Sequence, residues 1–490
     1  MAKSKRKLST FERLTSGKLN RKQRKDLARK LYSENPGLEI VHPNAAGIDV
    51  GNESHFVAVP PDRDPEPVRE FGCWTADVVR MAEWLQSCRI TTVVMQATGI
   101  YGIPLQEILE RHGLEVYVVN ARHTKNLPGR KTDVQECQWL MKLHTYGLLR
   151  NSFRPPEQIQ AVKTLWRLRD RHVKDLGRCI QHMQKALTIM NVQLANVISD
   201  VSGTTGQAIV RSILAGERDP YALAAWRDPR CQASEEEIAR SLEGNWREDV
   251  LFELQQAVDS YDFYQKQLDD CDQRLQQYLA ALPTRTIPAA SHAAKKEVKE
   301  GQETGKPKKK QRKKPTRNAP KFDLTAELKR ICGVDLTSID GIDVMTVQTV
   351  VSEVGTDLSP FPDENHFVSW TTLSPKRSIS GGKLIRHERE PAKNRVACAL
   401  RISATTLLHS NSNLGARYRN LRARLGAGKA VKAMACHLAR LVYRLLTNGE
   451  EWVDHGQELF EKKREEREML SLKRKAAMLG YQLVLQPTIP

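Results

Sequence analysis

Apolar and polar residues alternate with the short period of β-strands in the N-terminal third of the chain. The stretch AAGIDVGNESHFVAVP (45–60) predicts two strands that meet at the turn residues Gly51 and Asn52. Two runs rich in β-branched residues, TTVVMQATG (91–99) and LEVYVVNAR (114–122), predict two further strands. Helical patterns in TADVVRMAEWLQSC and PLQEILERHG separate these strands. Strands that alternate with helices predict an α/β layer around a central sheet.

From about residue 156 the apolar period becomes long and helical. The apolar residues form two seams, and in the first they step by alternating three and four. The first seam comprises Val173, Leu176, Ile180, Met183, Leu187, Met190, Leu194 and Val197. The second comprises Leu251, Leu254, Val258, Tyr261, Tyr264, Leu268, Cys271, Leu275 and Tyr278. A less regular insert with Gly203, Gly206, Gly216 and Pro220 lies between them. This pattern predicts an antiparallel coiled-coil arm, with a plain helical bundle as the alternative.

The pattern changes twice more towards the C-terminus. Nine basic residues and no acid lie between Lys306 and Lys321, which predicts a disordered basic linker, either a phosphate contact or a solubilising spacer. The stretch LTSIDGIDVMTVQTVVSEVG (336–355) has a glycine between two short helical patterns and predicts a helix-hairpin-helix. The stretch SWTTLSPKRSISGGKLIRHERE (369–390) that follows is polar and glycine-rich, and its S-G-G run taken alone is typical of a flexible loop. Amphipathic helices are predicted after it, followed by a charged helical tail with an apolar end.

These changes of pattern divide the chain into six regions. The predicted regions are a basic N-terminal arm (1–42), an α/β domain (43–153), a helical arm with its insert (154–283), a basic linker (284–322), a mainly helical domain (323–450) and a helical tail (451–490).

The charge of the chain favours a polyanionic partner. Lysine and arginine number 77 against 58 acids, a formal charge of +19, which favours nucleic acid over an acidic membrane surface. The nine cysteines include no C-x-x-C pair, which argues against a zinc knuckle or a disulfide framework and fits a reducing cytoplasm. No apolar run is long enough to span a bilayer, and the charged N-terminus lacks the apolar region of a secretory signal. We therefore expect no membrane partner.

Four polar residues are candidates for metal chemistry. Asp49 lies on an apolar predicted strand, where a carboxylate is costly unless it is paired or bound to a metal. Gln96 ends another such strand, and Asp133 and Glu136 lie three apart on one face of a predicted helix start. The alternative for these two acids is a solvated first turn that complements the helix dipole. Mg²⁺ prefers hard oxygen ligands, and the set resembles the metal site of RNase H/RuvC-like nucleases.

Several sequence motifs, in the same order along the chain, give a resemblance to one protein family that is more specific than the metal-site pattern. GIDVG, VVMQATGIYGIPLQEILE and LPGRKTDVQECQWLMKLHTYGLLR resemble the N-terminal DEDD domain of bacterial transposases of the insertion-sequence one-hundred-ten family. IDGIDVMTVQTVVSEVG and LSPKRSISGGK resemble its C-terminal serine domain. The resemblance covers roughly residues 40–450, and the spacing is most similar to the eleven-eleven branch.

This resemblance implies a multidomain α/β plus α protein with a RuvC/RNase H-like N-terminal domain and a C-terminal serine transposase domain. It implies a bacterial, nucleoid-associated recombinase that moves its own element and needs Mg²⁺. It also implies an element-encoded structured noncoding RNA, a bridge RNA or seekRNA, that selects target and donor DNA. Members assemble as tetramers, as a dimer of dimers, and a serine attacks DNA to form a covalent phosphoserine.

The resemblance assigns the carboxylate positions one by one. The first Asp of the family pattern falls on Asp49, its Glu on Gln96, its next Asp on Asp133 and its last Asp on Glu136, so the chain reads D-Q-D-E. We therefore expect Asp49, Asp133 and Glu136 to bind the metal, whereas Gln96 keeps an oxygen but loses the charge.

The serine of the pattern falls on Ser380, and Ser378 is its rival. A serine hydroxyl needs activation from elsewhere, and no base is adjacent in the sequence. Glycines here would let the backbone approach a phosphate, and basic residues would supply positive charge. The expected nucleic-acid contacts are Arg377, Gly381, Gly382, Lys383, Arg386, Arg395 and Arg401, although surface solubility explains the last two equally well.

Two other functions remain open on the sequence. In a hydrolytic Holliday-junction nuclease, water would attack the DNA and Ser380 would only bind phosphate. In a catalytically degenerate nucleic-acid-binding protein, Gln96 would have disabled the metal site.

Overall fold

A computed structural model describes most of the chain. The described residues are 23, 26, 37–96, 99–120, 132–286, 318–380, 383–388, 394–449 and 456–482, with the backbone alone described for 376–380, 383–388, 456–461 and 463. The chain forms two compact units. The first consists of residues 1–154 and 379–385, and the second of residues 155–378 and 386–490.

The first unit is built on a mixed five-stranded sheet in the order β3-β2-β1-β4-β5. Its strands are β1 (Ala45–Val50), β2 (Ser54–Ala58), β3 (Val68–Gly72), β4 (Thr92–Gln96) and β5 (Glu115–Val119). β1, β2 and β3 pair antiparallel, whereas β4 and β5 pair parallel with β1 and β4 respectively. The helices are α1 (Thr75–Ser87), α2 (Gly102–Arg111) and α3 (Asp133–Thr145). The predicted α/β domain is therefore confirmed, with one strand, β3, that the sequence did not reveal.

The two faces of this sheet have separate cores because side chains alternate along each strand. Ile48 and Met95 belong to a core that also contains buried residues of α1 and α2. Val94 and Val119 belong to a second core with Leu140 of α3. α3 thus covers the opposite face from α1 and α2.

The second unit contains two 33-residue helices, α4 (Glu157–Ile189) and, after the insert, α9 (Glu248–Ala280). Arg169 pairs with Asp272 and Lys185 pairs with Glu253, so the two helices run antiparallel. The insert forms α5 (Leu194–Val197), α6 (Thr204–Leu214), α7 (Pro220–Ala224) and α8 (Glu235–Ser241), which share one apolar core with α4 and α9. The antiparallel pair is as predicted, and its description as a coiled coil stays a prediction.

The apolar seams predicted for α4 and α9 differ at some positions from the residues that are buried on these helices. His172 and Cys179 are buried where Val173 and Ile180 were expected, and α4 ends at Ile189, before Leu194 and Val197. On α9 Leu279 is buried and Tyr278 is exposed. A helix with 3.6 residues per turn drifts from a strict seven-residue repeat, so a fixed pattern loses register over this length.

The rest of the second unit is mainly helical. Its helices are α10 (Leu324–Cys332), α11 (Val344–Val354), α12 (Glu364–Trp370), α13 (Arg395–Thr406), α14 (Asn413–Leu425), α15 (Ala427–Asn448) and α16 (Gly456–Met478), with short 3₁₀ helices at Leu336–Ser338 and Leu407–His409. The first helix expected of the helix-hairpin-helix is thus only a 3₁₀ turn, and the motif itself stays a prediction. Gly341, between this turn and α11, has φ of 84°.

Two strands that the sequence did not predict lie within the stretch 369–390. Residues Lys376–Ser380 and Lys383–Glu388 form a two-stranded sheet, β6 and β7. The strands are polar and lack an apolar alternation, so the pattern did not reveal them. A Gly-Gly pair between two short runs is a known hairpin signal and could have revealed them.

Other predictions fall partly outside the described residues. These are most of the N-terminal arm, residues 287–317 of the linker and the apolar end after residue 482. Where the arm is described, the backbone N–H groups of Val41 and His42 donate to the carbonyl of Thr145, so this end of the arm contacts α3. The predicted tail helix is confirmed as α16. Among the described helices, none combines the length and apolar composition needed to cross a bilayer.

Candidate functional site

The close approach of α3 to β1 depends on Gly47. A Cβ atom at this position would overlap main-chain atoms of Cys137 and Met141, so a larger residue would push α3 away from the sheet. Asp49 lies two residues further along β1 and therefore faces the same side as Gly47. Asp49 is half-buried beneath this helix.

α3 runs opposite to the parallel strands β1 and β4. Near its C-terminal end, His144 Nε2 lies 2.9 Å from Thr92 Oγ1, at the start of β4. Near its N-terminal end, the Gln96 amide at the end of β4 donates a hydrogen bond to Glu136 Oε1. The N-terminus of α3 therefore lies at the carboxyl ends of β1 and β4, where ligands of α/β sheets commonly bind.

The strand register brings Asp49 close to Gln96. Ile48 pairs with Met95 in the parallel ladder of β1 and β4, and Asp49 and Gln96 are the next residues on each strand. Gln96 is buried, with 6% of its surface exposed. Asp133 and Glu136 occupy the first turn of α3, so all four residues of the D-Q-D-E set lie at one edge of the sheet.

The surroundings of Cys137 show the same convergence. Burial raises the pKa of this thiol to about 12, and the negative charges of Asp49 and Asp133 add to the shift. Its Sγ donates to the carbonyl of Val134 at 3.1 Å. A thiol that stays protonated at neutral pH is a poor nucleophile, so Cys137 serves packing rather than chemistry.

The acids in the first turn of α3 also have a purely structural explanation, as part of a capped helix start. Thr132 caps the helix by accepting a hydrogen bond from the backbone N–H of Gln135 at 3.3 Å. Two carboxylates in this turn complement the positive end of the helix dipole. Dipole compensation alone does not explain why the Glu136 carboxylate contacts the buried amide of Gln96.

The chemistry of this donor set suits Mg²⁺, which prefers carboxylate and amide oxygens. Within the described ranges, however, no three acidic, His or Cys side chains are grouped closely enough to hold a metal ion. The backbone thus brings Asp49, Asp133 and Glu136 to one edge, and their binding of a metal stays a prediction.

Apolar side chains flank this edge, and the sequence analysis did not single them out. Ile100 and Tyr101 follow β4, and Ile103 and Val134 lie in the first turns of α2 and α3. All four are exposed, Ile100 most strongly at 72%. Exposed apolar and aromatic groups beside acids provide a surface on which a nucleobase or sugar can pack.

The predicted nucleophile lies in the β6–β7 hairpin. Ser380 is the last residue of β6, Arg377 and Ser378 lie on the same strand, and Lys383 and Arg386 lie on β7. Gly381 and Gly382 lie outside the described residues, and the strand residues are described by their backbone. The described strand residues beside the glycine pair, 379–380 and 383–385, belong to the same compact unit as the acids.

The remaining two predicted nucleic-acid contacts lie on α13. The Arg395 guanidinium pairs with Asp170 at 3.0 Å, which gives it a role inside the second unit. Arg401 is exposed and remains available to a ligand.

Two family models match separate parts of the chain. Residues 46–192 match a model described as a transposase, DEDD_Tnp_IS110, and residues 335–419 match one described as the transposase IS116/IS110/IS902 family. The first range contains the sheet except Ala45, the acids and all of α4, and the second contains β6 and β7. A search of the curated proteins gave no match.

Proposed function

The chain belongs to the IS110 family of transposases, and from that premise we propose that it recombines DNA through a covalent phosphoserine formed by Ser380. The observation that carries this proposal is the convergence of Asp49, Gln96, Asp133 and Glu136 at one edge of the mixed five-stranded sheet. The grouping of residues 379–385 with that sheet supports a site to which both parts of the chain contribute.

In this proposal the protein residues have distinct tasks. Asp49, Asp133 and Glu136 would hold Mg²⁺, which would neutralise charge on the reacting phosphate. Gln96 orients the Glu136 carboxylate through its amide. Basic side chains of the hairpin, Lys383 and Arg386 among them, balance the charge of the DNA backbone.

The bond changes balance without an external energy source. The bond between Ser380 Oγ and phosphorus forms while one phosphorus–oxygen bond of the DNA backbone breaks. The leaving DNA oxygen takes up the proton that the serine hydroxyl gives up. The phosphoserine keeps the phosphate esterified, so a second strand can displace the serine.

We further propose that a structured noncoding RNA from the element guides the protein to target and donor DNA, and that the protein acts as a tetramer. The support is the family resemblance, together with a formal charge of +19 that suits nucleic acid. The purified protein should carry a discrete element-encoded transcript. Equal binding of random RNA at physiological salt would contradict this part of the proposal.

The central test is a denaturing assay for a protein–DNA adduct. Enzyme, RNA, labelled DNA and Mg²⁺ are incubated and then denatured. The labelled adduct should form with the wild type and with Ser378→Ala, and should be absent with Ser380→Ala. Asp49→Ala and Asp133→Ala should lose cleavage while keeping RNA binding.

The other outcomes identify the competing functions. An adduct that vanishes only in Ser378→Ala would move the nucleophile to Ser378. Cleavage without any adduct would indicate hydrolysis by water, as in a Holliday-junction nuclease. Binding without Mg²⁺-dependent strand exchange would indicate a catalytically degenerate nucleic-acid binder.

A further inference from the structure

A long acid-free segment forms part of the second unit. Residues 391–449 contain eleven lysines and arginines and no aspartate or glutamate. The segment includes α13, α14 and α15. A segment with only one sign of charge produces a positive field that attracts a polyanion.

Several of its cations have partners inside the fold. Arg395 pairs with Asp170, and Arg440 and Arg444 pair with Glu364. Arg419 donates hydrogen bonds to the main-chain carbonyls of Leu408 and Ser410, in and directly after the 3₁₀ helix that follows α13. These side chains have structural explanations.

Four other cations surround Gly426, where α14 ends and α15 begins. We call Arg422, Arg424, Lys429 and Lys432 the basic tip. Arg422, Arg424 and Lys429 are exposed, and Lys432 is half-exposed. Among the residues that the structure describes, none forms a hydrogen bond or an ion pair with these four side chains. The positive charge of the basic tip is therefore not compensated there.

The helix dipoles explain only half of the basic tip. Arg422 and Arg424 lie in the last turn of α14, where cations are favourable. Lys429 lies in the first turn of α15, where the dipole is positive and a cation is unfavourable. That turn contains no acid, and Gly426 provides no side-chain cap. A bound anion would compensate both the lysines and the helix end.

We propose that the basic tip binds the phosphate backbone of duplex DNA. This inference rests on the family's action on DNA and not on the identity of the nucleophile. Proteins that recognise single-stranded RNA commonly stack its unpaired bases on aromatic side chains, and residues 419–434 contain no aromatic residue. Exposed arginines and lysines on a helix turn instead suit the regular phosphate rows of a duplex.

The test compares two full-length variants with the same net charge. In the first, Arg422, Arg424, Lys429 and Lys432 are all changed to glutamine. The control changes Lys185, Arg211, Arg230 and Arg247, which are also exposed but each paired with an acid. Removing four positive charges lowers the formal charge from +19 to +15 in both. Both proteins are freed of bound nucleic acid at high salt, and far-UV circular dichroism confirms that they are folded.

Binding to a short DNA duplex of unrelated sequence is measured against salt concentration, with an RNA duplex of the same sequence in parallel. Loss of four phosphate contacts should reduce the slope of log affinity against log salt by about 3.6, and affinity at low salt by tenfold or more. In the control variant the slope should change by less than about 0.9, which is the contribution of a single phosphate contact.

An equal loss in both variants would overturn the proposal, because net charge alone would explain it. A loss confined to the RNA duplex would assign the tip to RNA and equally overturn it. The adduct assay separates this result from the proposed function. A wild type that forms no adduct refutes the serine mechanism, whereas the DNA comparison between the two variants can still be made.

Discussion

At the scale of single residues, Gly47 sets the distance between β1 and α3. Gly47→Ala should destabilise the protein by about 1–3 kcal/mol, because the added methyl group overlaps the main chain of Cys137 and Met141. It should also lower DNA cleavage, since α3 carries Asp133 and Glu136. Thermal unfolding and the cleavage assay measure both effects.

A matched glycine provides the control for this substitution. Gly177 lies inside α4, and a Cβ atom there would meet nothing within 4 Å. Gly177→Ala should therefore stabilise the protein by about 0.5–1 kcal/mol through helix propensity. Similar losses in both variants would show that Gly47 has no special packing role.

The contact between Gln96 and Glu136 leads to a metal-dependent prediction. Gln96→Glu removes the amide donor and places two carboxylates together, which should destabilise the metal-free protein by about 1–3 kcal/mol. If the edge binds Mg²⁺, the ion should reverse this loss, and activity at saturating Mg²⁺ should be preserved or raised. Complete inactivity would mean that Gln96 has another role.

A second glutamine in the same domain tests whether this effect belongs to the site. Gln106 donates to Glu110 at 2.6 Å on α2, away from the carboxyl edge. Gln106→Glu also places two carboxylates together, but Mg²⁺ should not restore its stability. Thermal unfolding with and without Mg²⁺ distinguishes the two variants. Equal rescue of both would indicate nonspecific ion binding.

His144 should make the protein less stable in mild acid. Burial, followed by the neighbouring His42, lowers the pKa of His144 from 6.5 to about 3 in the folded state. Below the unfolded pKa of 6.5, the unfolded state binds one more proton, so this contribution to stability is lost as pH falls. The loss should approach about 1.4 kcal/mol per pH unit between these pKa values.

The attribution of this loss to His144 is tested by the slope of the free energy of unfolding against pH, rather than by the absolute stability. When unfolding by denaturant is measured between pH 7 and pH 4, the free energy of unfolding should depend less steeply on pH in His144→Gln than in the wild type. The same change at His182, which is exposed to solvent, should leave the slope as it is. An unchanged slope in His144→Gln would contradict the assignment.

At the scale of secondary-structure elements, one buried ion pair fixes the register of α4 on α9. The Arg169 and Asp272 side chains are 2% and 6% exposed, and their closest atoms lie 2.5 Å apart. Arg169→Met alone should cost about 3–5 kcal/mol, because it leaves a buried carboxylate unpaired. The double change with Asp272→Leu should recover most of this loss.

An exposed pair between the same helices completes the comparison. Lys185 and Glu253 lie 3.0 Å apart, with 64% and 40% of their side chains exposed. In a double-mutant cycle on Lys185 and Glu253, the coupling free energy should be at most about 1 kcal/mol. A coupling at Arg169–Asp272 no larger than this would show that burial adds nothing to the pair.

How far sequence predicts these elements depends on the contrast between buried and exposed positions. β1 and β4 were predicted because their apolar runs are buried in the centre of the sheet. The edge strand β5 was predicted because its run is rich in β-branched residues, although it is only partly buried. β3 was missed because its five residues are all partly or fully exposed, so it shows no alternation. The apolar seams of α4 and α9 could not reveal how the two helices align with each other. That alignment depends on individual pairs such as Arg169 with Asp272.

At the scale of the whole molecule, the placement of the acids at one edge of the sheet was easier to predict than any relation between them and the serine. Asp49, Asp133 and Glu136 lie at strand and helix ends that a parallel sheet brings to one edge. The hydrogen bond from Gln96 was not predictable, because it depends on the depth at which α3 packs on Gly47. Ser380 is separated from the acids by more than 200 residues, and no local pattern links such distant segments.

A covalent intermediate has a consequence for the complete reaction that hydrolysis does not share. If Ser380 holds the cleaved phosphate as an ester, the hydroxyl of an incoming strand can attack phosphorus and release the serine. The rejoined backbone then has the same number of phosphodiesters as before, so ATP is not needed. Wild-type protein given labelled DNA, RNA, Mg²⁺ and an acceptor strand should produce a longer labelled strand without ATP. Ser378→Ala should still produce this strand and Ser380→Ala should not, whereas free cleaved ends that never rejoin would identify water as the nucleophile.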